Sequence, residues 1–219
     1  MVDMDCGRDI DGAAEAWGLL RSGDVEGAAG LVGRWQEPED GDLTGVPAPD
    51  VCLAQAHIAL VEGSHAGALS CAMTALGIMG AAAGDADGEL EELARSLQLI
   101  IAAAGDGAAG LAGKRLASFA SPDDAKRASG TYSGLSTRLY LTRPIPPAWK
   151  ADLIKHFALC AVACDTALME MCKKHGSVFS RLRRRKKDEA ERAPVTQPLP
   201  RFEVAGDVRE ARWDALAGR

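Results

Sequence analysis

The chain has 219 residues, a mean hydropathy of −0.06 and a formal net charge of −6, with 47% hydrophobic and only 5% aromatic residues. That length fits one domain, or one domain with an appendage, and the abundance of Ala favours closely packed helices over an extensive β-sheet. The longest strongly apolar stretch, Phe157 to Ala163 and a little beyond, is far short of the roughly 18 residues that a membrane span needs, and the acidic start Met1–Asp5 opens no secretory signal.

Residues 12–20 are expected to form a first helix, capped by Asp11 and carrying Trp17, Leu19 and Leu20. Ser22-Gly23-Asp24 turns the chain into a second helix, from about Val25 to Trp35, and residues 37–49 form a polar Pro/Gly-rich loop. Asp50 caps a third helix through Val61, and Gly63-Ser64 leads into a fourth that ends near Ile78. After a Gly/Ala/Asp loop at 80–88, Glu89 to Ala104 is the clearest amphipathic segment, with Leu90, Leu93, Leu97 and Ile101 in helical spacing. Gly105-Asp106-Gly107 reads as a turn into a sixth helix ending near Phe119.

Ser121-Pro122-Asp123-Asp124 is a helix start, with a capping Ser, Pro in the first position and acids in the first turn. Residues 129–146 read as irregular, with a weak alternation over 136–142 that suggests a short strand. A long, strongly apolar helix is expected from Pro147 to His175, then a basic stretch that continues as a helix, then a Pro-containing tail that is extended or disordered. The expected organisation is a hairpin region over 1–120, a linker with the long apolar and basic helices over 121–192, and the tail over 193–219.

Three turns align. Gly23, Gly63 and Gly105 each open a turn and each precedes a small residue five positions on, namely Ala28, Ala68 and Gly110. A turn Gly permits sharp reversal, and a small residue lets two helices approach closely. Spacings of this size, with two helices each, point to an α-solenoid. Ala56, Gly63, Ala68, Ala75 and Leu76 stand where a tetratricopeptide repeat places its small residues, its turn Gly and its closing Ala-Leu, and the second unit resembles that family. Ala16, Gly23 and Ala28 carry part of the pattern in the first unit, whereas Gly110 and Lys114 depart from it in the third. The resemblance covers about residues 12–119 and implies a concave surface for a partner's peptide or helix. One branch of that family grips chaperone C-termini through Lys, Arg and Asn, but Ala13, Trp17, Leu53 and His57 occupy those faces here, which argues against that ligand.

His156, Cys160 and Cys164 fall at i, i+4 and i+8 on one helical face, a stripe that could ligate zinc. The i+8 residue lies about 12 Å along the axis from the first, and the surroundings are those of a core helix. The stripe is therefore read as buried structural cysteines, at least four of the six cysteines lie in apolar helical patterns, and no metal and no cofactor is assigned. No P-loop, GxSxG, GxGxxG or HExxH pattern occurs, so no catalytic residues are assigned and a non-enzyme is expected.

Charge is unevenly laid out, with a balance of −14 over residues 1–100 and +8 over 101–219. Its sharpest feature is Arg181, Arg183, Arg184, Arg185, Lys186 and Lys187, which suits a localisation signal, a nucleic-acid contact or an anionic membrane surface. A solvated face paired with the acids that follow is the plainer reading. The sequence reading is thus an all-α fold of tandem helical hairpins, with an irregular α-helical bundle as the alternative. The expected function is a non-catalytic scaffold or adaptor in the cytoplasm or nucleus. Trp149, Leu153, Phe157, Leu168 and Met171 are expected to meet a partner helix or a second copy of the chain.

Overall fold

The computed structural model describes residues 15–16, 18–19, 22–36, 49–82, 88–111, 114, 116–143, 147–175 and 194–202. Helix accounts for 80% of them. The helices are α1 (Val25–Gln36), α2 (Pro49–Val61), α3 (His65–Ala82), α4 (Gly88–Ala108), α5 (Pro122–Leu141) and α6 (Pro147–His175). Strand β1 (Leu116–Phe119) pairs antiparallel with β2 (Val195–Pro198), in a register that sets Leu116 opposite Pro198 and Phe119 opposite Val195. No described helix is long and apolar enough to cross a membrane.

Three helices end alike. Gly23, Gly63 and Gly110 take φ of 85°, 77° and 74°, in the left-handed region that costs a side chain about 1–2 kcal/mol. At Gly63 the following Ser64 N–H donates to the Ala59 carbonyl at 2.7 Å and the Gly63 N–H donates to Leu60 at 3.1 Å. At Gly110, Leu111 N–H donates to Asp106 at 2.7 Å and Gly110 N–H to Gly107 at 2.9 Å. Both are Schellman closures, which satisfy carbonyls that the helix would otherwise leave open. The turn expected at Gly105 is therefore at Gly110. Gly105 itself lies inside α4, which extends the amphipathic helix one turn beyond the expected end.

The chain forms two compact units. The first holds the described residues up to Ala104 together with 142–143 and 147–149. Here α2 packs on both α1 and α3. Ala16, Ala28, Leu31, Val51, Ala54 and Ile58 form one apolar cluster. In the α2–α3 hairpin Ala54, Ala56, Ala68, Ala72, Ala75 and Leu76 are all fully buried, and Met79 nearly so. Alanines allow the backbones to approach, and the long side chains supply the burial, each stabilising by about 1.5–3 kcal/mol.

The second unit holds Gly105–Leu141 and the described residues from Lys150 to Phe202. Its α5 begins as the sequence indicates. The Ser121 hydroxyl accepts from the Asp124 N–H at 3.2 Å, while the Asp124 carboxylate accepts from the Ser121 N–H at 3.1 Å and from its hydroxyl at 2.8 Å. This reciprocal capping launches a helix through the segment expected to be irregular, and residues 136–141 are helical where a strand was expected. Ala125, Ala128, Ser129, Tyr132, Leu135 and Leu139 are buried at helical spacing, so burial overrides the weak propensity of the Ser, Thr and Gly between them. The helix expected to end near Phe119 is instead β1, with Ala117 and Phe119 buried and Leu116 and Ser118 exposed.

Candidate functional site

The polar centre of the second unit is built from three helices. Asp106 comes from the last turn of α4, Tyr132 from the middle of α5, and His156 and Cys160 from successive turns of α6. The Leu111 bond to the Asp106 carbonyl fixes the backbone of Asp106 at the helix end. The Tyr132 hydroxyl donates to Asp106 Oδ1 at 2.7 Å and so orients the carboxylate. His156 Nε2 stands 3.7 Å from Cys160 Sγ. The His156 ring contacts two aromatic rings, Phe157, tilted, at a centroid distance of 5.4 Å and Phe202, in a T-shaped arrangement, at 5.1 Å. Phe202 arrives there because β2, four residues earlier, is held by β1. Tyr132 and Phe157 stack at 6.1 Å, and the Ser136 hydroxyl donates to the Ile154 carbonyl at 3.2 Å, tying α5 to α6.

Burial shifts each group toward its neutral form. It lowers the His156 imidazole to about 4 and raises the Cys160 thiol to about 12, Asp106 and Cys164 adding to the latter. Tyr132 is held well above its ordinary range by burial and then by Asp106. Burial raises Asp106, and the Tyr132 bond opposes that rise. Burial thus disfavours a charged thiolate–imidazolium pair of Cys160 and His156. What the cluster offers is a set of donor atoms. One from each of Asp106, His156 and Cys160 lie within 4.8 Å of one another.

The five side chains expected to meet a partner are distributed differently from the solvent-facing apolar groups of the same helix. Leu153, Phe157 and Met171 are buried in the chain, and Trp149 and Leu168 are half-buried. The Trp149 carbonyl accepts a hydrogen bond from the Gln98 amide. Among the described residues of α6, the large apolar side chains that are exposed are Leu159, Val162 and Met169, at 48%, 60% and 55%. Arg181, Arg183, Arg184, Arg185, Lys186 and Lys187 lie outside the described residues. Of the His-Cys stripe, the donor cluster retains His156 and Cys160, and takes Asp106 rather than Cys164 as its third member. Asp106 was missed because an Asp between two glycines reads as turn chemistry. Tyr132 was missed because its segment lacked a helical signal. No family model matches this chain, and no curated protein or solved structure matches it.

Proposed function

We propose that this chain is a non-catalytic helical interaction protein, and that it binds an apolar helix of a protein partner along the outward face of α6. The observation that carries this reading is the two-faced character of that helix. Leu153, Phe157, Cys160, Cys164 and Met171 are buried, while Leu159, Val162 and Met169 stand exposed on the other side. Spacings of three and seven residues bring those three onto one face. Large aliphatic groups aligned in this way suit helix-in-groove or helix-on-helix recognition. The glycine-closed ends at Gly23 and Gly63, and the alanine-lined α2–α3 hairpin, support a tetratricopeptide-like array in the first unit as the frame.

The test is affinity capture with the full chain and with a Leu159→Asp, Val162→Asp, Met169→Asp triple variant, at low and high salt, alongside size exclusion with light scattering. All three positions are exposed, so folding is expected to survive. The triple variant should lose partners that the native chain holds at high salt. If the bound occupant is a second copy, the variant should lose self-association instead. Partners held equally by both proteins would overturn the proposal. Partners lost only by raising salt would transfer binding to the cationic run at 181–187, because polyanion contacts weaken steeply with salt whereas apolar contacts do not.

A further inference from the structure

We propose that Asp106, His156 and Cys160 bind a divalent transition-metal cation, zinc(II) by the chemistry of the donor set. The proposal concerns the inward face of α6 and stands independently of the outward one.

Geometry comes first. In tetrahedral zinc sites the metal lies about 2.3 Å from sulfur and about 2.0–2.1 Å from imidazole nitrogen, which puts those two donors about 3.5 Å apart. His156 Nε2 and Cys160 Sγ stand at 3.7 Å, already at that edge length. The third donor is within 4.8 Å of both, so a carboxylate oxygen has to close by only about 1 Å to complete the face of a tetrahedron. Two of the donors come from one helix at i and i+4 and the third from another helix. The ion would thus bridge α4 and α6, and its fourth position is left to solvent on the half-buried Asp106 side.

The surroundings are those of a held ligand set. Metal-bound carboxylates and imidazoles are oriented by partners behind them. The Tyr132 hydroxyl donates to Asp106 Oδ1 and leaves the other oxygen to offer, while Phe157 and Phe202 pack on the His156 ring. Asp106 also stands in the last turn of α4, where the negative end of the helix macrodipole favours a cation. Thiolate, imidazole and carboxylate together suit a borderline-soft ion of zinc type rather than calcium or magnesium, which prefer all-oxygen shells.

The experiment is metal analysis of the full chain after stripping and reloading, followed by cobalt(II) titration of the stripped protein. Cobalt reports thiolate ligation through its near-ultraviolet charge-transfer band. The native chain should take up one equivalent and show that band, and zinc should displace the cobalt. Cys160→Ser and His156→Ala should abolish the band, and Asp106→Asn, which keeps an oxygen for Tyr132, should weaken binding by tenfold or more. Cys164→Ser, one turn further along, should bind as the native chain does. Uptake below one equivalent, or a band unchanged in Cys160→Ser, would overturn the assignment. If the Cys160 and His156 variants fail to fold, the decision rests on the stoichiometry and band of the native chain and on Asp106→Asn. Equal affinity in the native chain and in Asp106→Asn would refute the site.

Discussion

Replacing Gly105 by Ala separates two ways in which a glycine can matter. A Cβ built at Gly105 would lie 2.6 Å from Phe157 Cε1, 2.9 Å from its Cζ and 3.1 Å from Leu135 Cδ1. Ordinary carbon contacts are about 3.5–4.0 Å, so the Phe157 ring has to withdraw by roughly 1 Å. It has little room to do so, being fully buried, stacked on Tyr132 and set against His156. Overpacking of this kind costs about 1–3 kcal/mol, and the gain from replacing a helical Gly recovers about 0.5–1 kcal/mol. Gly105→Ala should therefore destabilise by up to about 2.5 kcal/mol. Gly134 supplies the control, since it lies in α5, is exposed, and a Cβ there meets nothing within 4 Å. Gly134→Ala should stabilise by about 0.5–1 kcal/mol, opposite in sign for the same chemical change. Urea unfolding, read through the midpoint and slope, measures both. Adding Phe157→Leu supplies the cause. Without the ring edge, the cost of Gly105→Ala should shrink, giving a coupling energy of about 0.5–2 kcal/mol. Gly105→Ala as stabilising as Gly134→Ala, or a zero coupling with Phe157→Leu, would refute the steric reasoning.

Other perturbations test other layers of the structure. Ala68 is fully buried in the α2–α3 hairpin, so Ala68→Leu should cost roughly 1–3 kcal/mol, and an unchanged melting temperature would place that residue outside a packed interface. Tyr132→Phe deletes the donor to Asp106 and should cost about 1–2 kcal/mol in chemical unfolding; no loss would show that the hydroxyl does not hold the carboxylate. Burial lowers His57 from its ordinary 6.5 to about 4, so the fold holds the neutral ring and the unfolded chain takes up a proton first. That contribution is whole above pH 6.5 and falls away as pH drops toward 4, by about 3 kcal/mol in all. His57→Leu should flatten the acid limb of stability against pH in that window, and an unaltered slope would assign the limb to other groups.

The parts of the fold that local chemistry dictates were legible in the sequence. A Gly at a helix end, a Ser-Pro-Asp-Asp start and a heptad-like run of Leu and Ile act within a turn or two of themselves, and they appear at Gly63, Ser121 and α4. Gly105 misled because glycine serves two purposes. It permits a left-handed turn, which Gly110 makes, and it vacates space, which Gly105 does for Phe157. The spacing of turns cannot distinguish them, because the need for space is set by Phe157, far along the chain on another helix. Strand β1 was illegible for a related reason. Its partner β2 is likewise remote in sequence, and four residues of alternation carry little weight alone. The donor cluster joins residues 106, 132, 156 and 160. Only its i, i+4 pair on one helix could be read from spacing, and Asp106 and Tyr132 join it through tertiary packing.

The β1–β2 ribbon alters how the C-terminal third of the chain can be manipulated. Strand β2 follows the cationic run in sequence and pairs with β1, so the arginines precede a described element that belongs to the fold. Shortening the chain from the C-terminus to remove the arginines also strips β1 of its backbone partner and takes Phe202 from the face of His156. A loss of binding after such a cut would report an injured fold as readily as a missing charge. The clean manipulation is substitution in place, with the ribbon left tied. A proteolytic nick anywhere in 176–193 should leave the two pieces travelling together until denaturant parts them.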